Sequence, residues 1–217
     1  MIFTKNNCSR RIGIYLYFKY ISILLKSQLE YRSSFILLSI GQFFVPFLVY
    51  IAMFLLFERF SSIKGWNLYE VSLCYGVINI AISFGELIAR GFDCFSSTII
   101  KGDFDRILVR PRSTVLQVLG SKFQFTRIGG LLQGIMVFVF AIAHLNVVWT
   151  FAKWFTLLIM ILSGILIFIG IFMLGATLCF WTIEGLEIIN IFTAGGKEIT
   201  QYPLNIYKKW VKNFFTF

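Results

Sequence analysis

Four ionisable side chains interrupt the long apolar segments of this 217-residue chain: Glu86, Arg127, Glu184 and Glu187. A charged side chain at the centre of a bilayer costs about 2.5–3.5 kcal/mol, so each is a candidate for a translocation pathway. All four also lie near the ends of predicted spans, where placement at the interface costs little. Glu184 and Glu187 are three residues apart and share a helical face, which would suit a cationic substrate or a pairing with Arg127.

The sequence contains none of the common motifs for hydrolysis or nucleotide binding. It lacks the G-x-x-x-x-G-K-[ST] phosphate loop, the G-x-S-x-G nucleophile elbow and the H-E-x-x-H zinc helix. Its single histidine and its four cysteines, which form no CxxC pair, do not predict a metal site. We therefore expect no catalytic residue, metal or cofactor in this chain.

The composition predicts a membrane protein. Hydrophobic residues make up 58% of the chain and charged residues only 14%, whereas soluble domains carry about 25% charged residues. A chain of this length cannot bury so much apolar surface in one water-soluble core. The net charge of +10 is spread between the apolar blocks, which indicates topology signals and contacts with anionic lipid rather than nucleic-acid binding.

Apolar segments of sufficient length predict about five membrane-spanning helices. The first three cover 35–57, 71–89 and 115–143, with the deep part of the third beginning at Ile128. The 30 uncharged residues from 154 to 183 are too many for one span, so we expect a fourth helix there and a fifth running towards Phe192. The predicted fold is a single all-α domain over 1–217, a polytopic transmembrane helical bundle.

Residues 1–34 predict an amphipathic helix at the membrane interface. Lys19, Lys26 and Glu30 lie on one side of a helical wheel, and Tyr20 and Ile23 lie on the other. An ordinary solvated basic tail is the alternative. Segments 1–34 and 90–122 each hold six basic residues and alternate with nearly neutral loops, so we expect both to be cytoplasmic.

The most informative segment joins the second and third spans and reads GDFDRILVRPRS over 102–113. Phe104, Ile107 and Leu108 can share one face of a short helix, while charged residues lie on another. Pro111 disfavours continuation of that helix. Such an element suits docking into a groove on a soluble partner. The alternative is an interfacial connector whose charges only set the topology.

The run from 102 to 134 resembles the loop and third span of ABC-2 type permeases, in the bacterial branch whose loop reads G-x-(hydrophobic)-D-x-x-L-x-R-P. Segments 24–41 and 201–215 resemble this family's entry into its first span and its extracellular segment after the fifth. The signature positions are Gly102, Asp105, Leu108, Arg110 and Pro111.

This resemblance implies that residues 90–114, with Asp103 and Phe104 among them, form a coupling loop that meets an ATP-binding subunit. It also implies six spans, a second permease subunit and export of a hydrophobic or amphipathic compound across the bacterial cytoplasmic membrane. ATP would be used by the partner. Phe217 falls where the family continues into a further span, so we expect a bundle without the sixth span.

Three other classes of protein fit parts of the sequence. An ion-coupled transporter or channel could use Glu86 or the Glu184 and Glu187 pair as its ion site. A non-transporting truncated membrane subunit would fit the absent sixth span. A membrane enzyme acting on lipids would need clustered catalytic acids, histidines or a metal site, and the sequence offers few such residues.

Overall fold

The computed structural model describes residues 19–60, 62–111, 113–182, 185–203 and 206–210, without the side chains of 185–189. The described chain is helical apart from short connections and an isolated bridge between Ile63 and Trp66, which confirms the predicted all-α class. Helix α1 covers 19–30. The later helices are α2 (Arg32–Arg59), α3 (Leu68–Asp93), α4 (Phe95–Ile100), α5 (Asp103–Leu108), α6 (Thr114–Leu119), α7 (Ile128–His144), α8 (Phe151–Leu178) and α9 (Gly185–Thr200). A 3₁₀ turn, Phe125–Arg127, leads into α7.

Within the described residues, four helical segments are long and apolar enough to cross a membrane. They are Arg32–Arg59, Leu68–Ile100, Phe125–His144 and Phe151–Leu178, and they correspond to the first four predicted spans. The predicted fifth span corresponds to α9, which has only 16 residues and carries Lys197 and Glu198. A full crossing needs about 20 residues, so α9 does not qualify by length.

Helix α1 is bound to the segment that precedes α7. The Gln28 side-chain amide donates a hydrogen bond to the Phe123 carbonyl, and the Tyr20 ring lies beside Gly120. Tyr31 alone separates α1 from α2. The predicted interfacial helix over 1–34 falls partly on 1–18, which lie outside the described residues.

Helix α3 forms the centre of the bundle. Of the residues in its apolar stretch, 61% are buried inside the chain, against 17% for α2 and for α8. Its buried positions include Ser72, Ala81 and Ser83, whose small side chains allow α7 and α8 to pack closely on it. The outer helices expose large apolar side chains such as Leu37 and Leu166, as expected for helices that lipid solvates.

Contacts between helix ends define two opposite ends of the bundle. At one end, Phe180, just after α8, contacts Phe95 and Phe104 of α4 and α5. At the other end, His144 at the end of α7 stacks on Tyr69 in the first turn of α3, with ring centres 5.2 Å apart. The connections α2–α3 and α7–α8 therefore lie opposite α4, α5 and α6.

Glycines allow helix backbones to approach closely, and two of them lie where α7 meets α2 and α3. A Cβ atom at Gly129 would lie 2.0 Å from the Ser39 carbonyl oxygen of α2, and one at Gly76 would lie 2.9 Å from the Phe138 Cα atom of α7. Since these neighbours are main-chain atoms, a side chain could be accommodated only by moving the helices apart.

Gly129→Ala tests this packing, with Gly41→Ala as its control because a Cβ at Gly41 meets nothing within 4 Å. We expect Gly129→Ala to lose about 1–3 kcal/mol of stability through overpacking. Gly41→Ala should be neutral or slightly stabilising, since alanine favours helix more than glycine. Thermal unfolding followed by size-exclusion chromatography in detergent measures both. Equal stability of the two variants would contradict the close approach of α2 and α7.

Candidate functional site

The segment between the second and third spans folds as three short helices, α4, α5 and α6. Gly102 precedes α5 with φ +70°, in the left-handed region that glycine adopts without steric cost. The Gln117 side-chain amide of α6 donates a hydrogen bond to the Ile107 carbonyl of α5, at 3.3 Å. The Lys122 ammonium lies 3.3 Å from the Ser97 hydroxyl of α4. These contacts hold the three helices together as one unit.

Helix α5 turns part of its apolar face towards the chain's own core. Phe104 and Ile107 pack against the buried cluster that contains Phe92 and Val118. Leu108 stays 54% exposed, and Val109 is 85% exposed. The predicted common face of Phe104, Ile107 and Leu108 is therefore divided, because adjacent positions 107 and 108 project about 100° apart around a helix.

Three phenylalanine rings connect α5 to the helices behind it. The ring centres of Phe95 and Phe104 are 5.2 Å apart, those of Phe104 and Phe180 5.3 Å, and those of Phe95 and Phe180 5.6 Å. All three pairs are edge-to-face, the arrangement that aromatic rings prefer. This aromatic cluster joins α4, α5 and the segment that follows α8.

The outer side of this unit combines apolar and charged groups. Ile100, Leu108 and Val109 are all more than half exposed. Asp105, Arg110 and Pro111 are exposed too, and Asp103 pairs with Arg106 across the surface at 3.5 Å. For the role that the resemblance in the sequence implies, we call the exposed residues 100, 105 and 108–111 the coupling surface. An exposed apolar patch with a polar rim is typical of an interaction surface.

A polar centre, formed by charged and amide side chains, lies inside the bundle. The Arg127 guanidinium is 2.9 Å from the Glu86 carboxylate of α3 and donates to the Gln42 amide oxygen of α2, also at 2.9 Å. Its Nε donates to the Gln124 amide oxygen at 3.3 Å. The Glu86 and Arg127 side chains are only 18% and 22% exposed. A buried charge is stable only when paired and hydrogen-bonded, and this network satisfies both conditions.

Glu86 and Arg127 open onto a cavity of about 510 Å³ between α3, α8 and α9. This volume lies within the range of about 300–1,000 Å³ that is usual for small-molecule sites. The charged residues that line the cavity are Glu86, Arg90, Asp93, Arg127, Lys197 and Glu198. Ile82 and Phe172 contribute apolar surface. Arg90 forms an ion pair with Asp93.

The structure brings together two of the four predicted pathway residues, Glu86 and Arg127. Glu184 lies outside the described residues, and Glu187 belongs to α9 with its side chain not described. The predicted pairing of Arg127 with these two glutamates stays a prediction. In the described part of the chain, Arg127 instead pairs with Glu86.

Sequence reasoning missed Gln42 and Gln124 in this polar centre, and Lys197 on the wall of the cavity. Gln42 is the only side-chain amide in α2, which was a usable signal for a buried polar contact. Lys197 lies beyond Phe192, where the uncharged pattern of the predicted fifth helix had ended. Its position on a helix could not be recognised from apolar character alone, because α9 has both polar and apolar faces.

Comparison with protein families decides the classification. The sequence profile described as ABC-2 family transporter protein matches residues 43–217, which is more than half of the chain. The chain belongs to the ABC-2 transporter family. No curated protein and no solved structure matches it. The family assignment confirms the resemblance noted in the loop between the second and third spans.

As an ABC-2 family member, the chain is a multi-pass membrane component of an ABC transporter. Permeases of this family generally act with an ATP-binding subunit. The matched region contains both the coupling surface and the polar cavity, and it begins one residue after Gln42.

The Glu86–Arg127 pair generates a stability prediction for this permease. Glu86→Gln leaves the buried guanidinium without its counter-charge, which costs about 3–5 kcal/mol in comparable pairs. Adding Arg127→Gln should recover part of the loss, because no unpaired charge then remains. The measurement is the thermal unfolding midpoint of the purified permease in detergent.

The exposed pair Asp103–Arg106 is the matched control. Its side chains are 50% and 76% exposed, so Asp103→Asn should change stability by no more than about 1 kcal/mol. Equal losses from Glu86→Gln and Asp103→Asn would show that burial of the Glu86–Arg127 pair has no energetic consequence.

Proposed function

We propose that this permease exports a hydrophobic or amphipathic compound across the bacterial cytoplasmic membrane, driven by ATP hydrolysis on a separate subunit. The observation that carries the proposal is the coupling surface together with the aromatic cluster behind it. An exposed docking element would be of little use for ATP-driven transport unless its movement reached the spans. Phe95, Phe104 and Phe180 provide that connection.

In the proposed mechanism, the ATP-binding subunit docks on the coupling surface from the cytoplasmic side. Asp105 and Arg110 offer charges of both signs for its recognition, and Leu108 and Val109 offer apolar contact. When the ATP-binding subunits close, α5 is displaced and presses through Phe104 on Phe180. Since Phe180 lies two residues beyond the end of α8, this helix tilts and changes the cavity that it forms with α3 and α9.

The alternation of basic and neutral connections supports a cytoplasmic N-terminus, since α4, α5 and α6 then lie on the same side as residues 1–34. A second permease subunit, identical or different, completes the transporter in this proposal. The exposed apolar faces of α2 and α8 are the surfaces available to that subunit and to lipid.

Co-purification tests the docking step. The permease is co-expressed with its tagged candidate ATP-binding subunit, and the stable complex is quantified after extraction in mild detergent. We expect Asp105→Lys combined with Arg110→Glu to abolish the complex, because both charges face outward on the coupling surface. The control is Lys153→Glu in the first turn of α8, at the opposite end of the bundle. An intact complex in the double variant would refute docking at this surface.

Phe104→Ala with Phe180→Ala tests the connection to the spans. Each ring pair is worth about 0.5–1.5 kcal/mol, so removing two rings leaves α5 in place but weakens its coupling to α8. We expect normal co-purification of the ATP-binding subunit and a several-fold fall in transport per ATP hydrolysed. Phe54→Ala, on a 41%-exposed side chain of α2, is the control. Unchanged transport per ATP in the double variant would exclude the aromatic cluster as the mechanical link.

Glu86 and its position beside the cavity favour one alternative, an ion-coupled transporter with Glu86 as the ion site. The two functions separate in proteoliposomes. Transport that needs the ATP-binding subunit and ATP supports the export permease, whereas transport that needs only an ion gradient supports the alternative.

A further inference from the structure

The cavity between α3, α8 and α9 is lined by three acidic and three cationic side chains. These side chains differ in whether another side chain already pairs with them. Glu86 is engaged with Arg127, and Asp93 is engaged with Arg90. Glu198 is exposed, so water screens its charge. Among the described side chains that line the cavity, this leaves the Lys197 ammonium as the half-buried charge without an ion pair.

Arg90 and Arg127 each form an ion pair with a carboxylate, and Lys197 differs from them in this respect. It is half-buried on α9, and among the described side chains no carboxylate lies within 4 Å of its ammonium. Glu86 attracts it most strongly, but the same carboxylate is held at 2.9 Å by Arg127. Glu198 follows Lys197 directly, so the two side chains project about 100° apart around α9.

The cavity also contains an apolar wall next to this charge. Phe172 and Ile82 line the cavity together with Lys197, and each presents only a small part of its side chain there, since they are 3% and 6% exposed. A buried cation gains most from an anion that it can reach without full hydration. A ligand that carried an anionic group on an apolar body would therefore satisfy both parts of the cavity.

We propose that this cavity binds the anionic headgroup of an amphipathic molecule, with Lys197 as the residue that holds the headgroup and Phe172 and Ile82 in contact with its apolar part. The inference deepens the proposed function, on which it rests for its role in transport, by naming the class of substrate. It favours an anionic over a cationic substrate here, because Glu86 and Asp93 already have partners and Glu198 is exposed.

Equilibrium binding of radiolabelled dodecyl phosphate to the full chain in dodecyl maltoside tests the proposal. We expect saturable binding to the wild type. Lys197→Gln should weaken it about 10- to 150-fold, since one hydrogen bond to a charged group is worth about 1.5–3 kcal/mol. Lys197→Arg, which keeps the positive charge, should restore most of the affinity. Lys153→Gln, outside the cavity, should bind as the wild type does.

Competition separates the chemical classes of ligand. Unlabelled dodecyl phosphate should displace the probe, whereas dodecyltrimethylammonium, with the same chain and the opposite charge, should not. Inorganic phosphate that competes as well as dodecyl phosphate would overturn the amphipathic part of the proposal. Equal binding to the wild type and Lys197→Gln would overturn the role of Lys197.

Separate control measurements distinguish a loss of binding from misfolding and from a failure of the proposed coupling. Each variant must give the wild-type elution profile on size-exclusion chromatography, and Lys197→Arg keeps the test valid if Lys197→Gln does not fold. The assay needs no ATP-binding subunit. Absence of saturable probe binding to the wild type, with an intact permease–ATPase complex, would therefore refute this inference alone. A missing complex with saturable probe binding to the wild type would refute the proposed coupling alone.

Discussion

The ion pair between Glu86 and Arg127 is the interaction on which the arrangement of the bundle depends. A low-dielectric interior admits charges only in matched sets, and Arg127 must therefore lie where α3 supplies a carboxylate and α2 supplies an amide oxygen. This requirement determines where the chain enters α7, because Arg127 is the last residue of the 3₁₀ turn before it. Helices α2, α3 and α7 meet at one point as a result.

Helix α3 links the two regions to which we assign function. Its C-terminal half carries Glu86, Arg90 and Asp93 on the wall of the cavity, and it is followed by α4, whose Phe95 belongs to the aromatic cluster. A single buried helix thus connects the coupling surface to the cavity. Because protein interiors are close-packed, a rigid helix in this position cannot move without changing both regions.

Much of the fold follows from the sequence because hydropathy measures the dominant energy term in a membrane. The four long spans agree with the apolar segments to within a few residues at most ends, and the break before Ile128 follows from Lys122 and Arg127. Helix α9 departs from the prediction because its 16 residues include a polar face that belongs to the protein interior. Hydropathy cannot distinguish a charge that faces a cavity from one that ends a span.

The candidate site was less accessible to sequence reasoning, for a similar reason. Glu86 and Arg127 were conspicuous as charges in apolar surroundings, yet their pairing joins residues 41 positions apart and depends on how the helices pack. The division of the α5 face between Phe104 and Leu108 also depends on packing, since both residues are equally apolar. Pattern analysis identifies which side chains are unusual, and tertiary contacts decide which of them meet.

The central and the outer helices differ in burial, and they should therefore differ in the substitutions that they tolerate during evolution. Lipid accepts any apolar side chain, so α2 and α8 can exchange leucine, isoleucine, valine and phenylalanine on most of their surface with little loss. Helix α3 has no such freedom, because Ser72, Ala81 and Ser83 are buried where neighbouring helices lie. Substitutions should therefore accumulate mainly in the two outer helices, whereas the buried positions of α3 should change little.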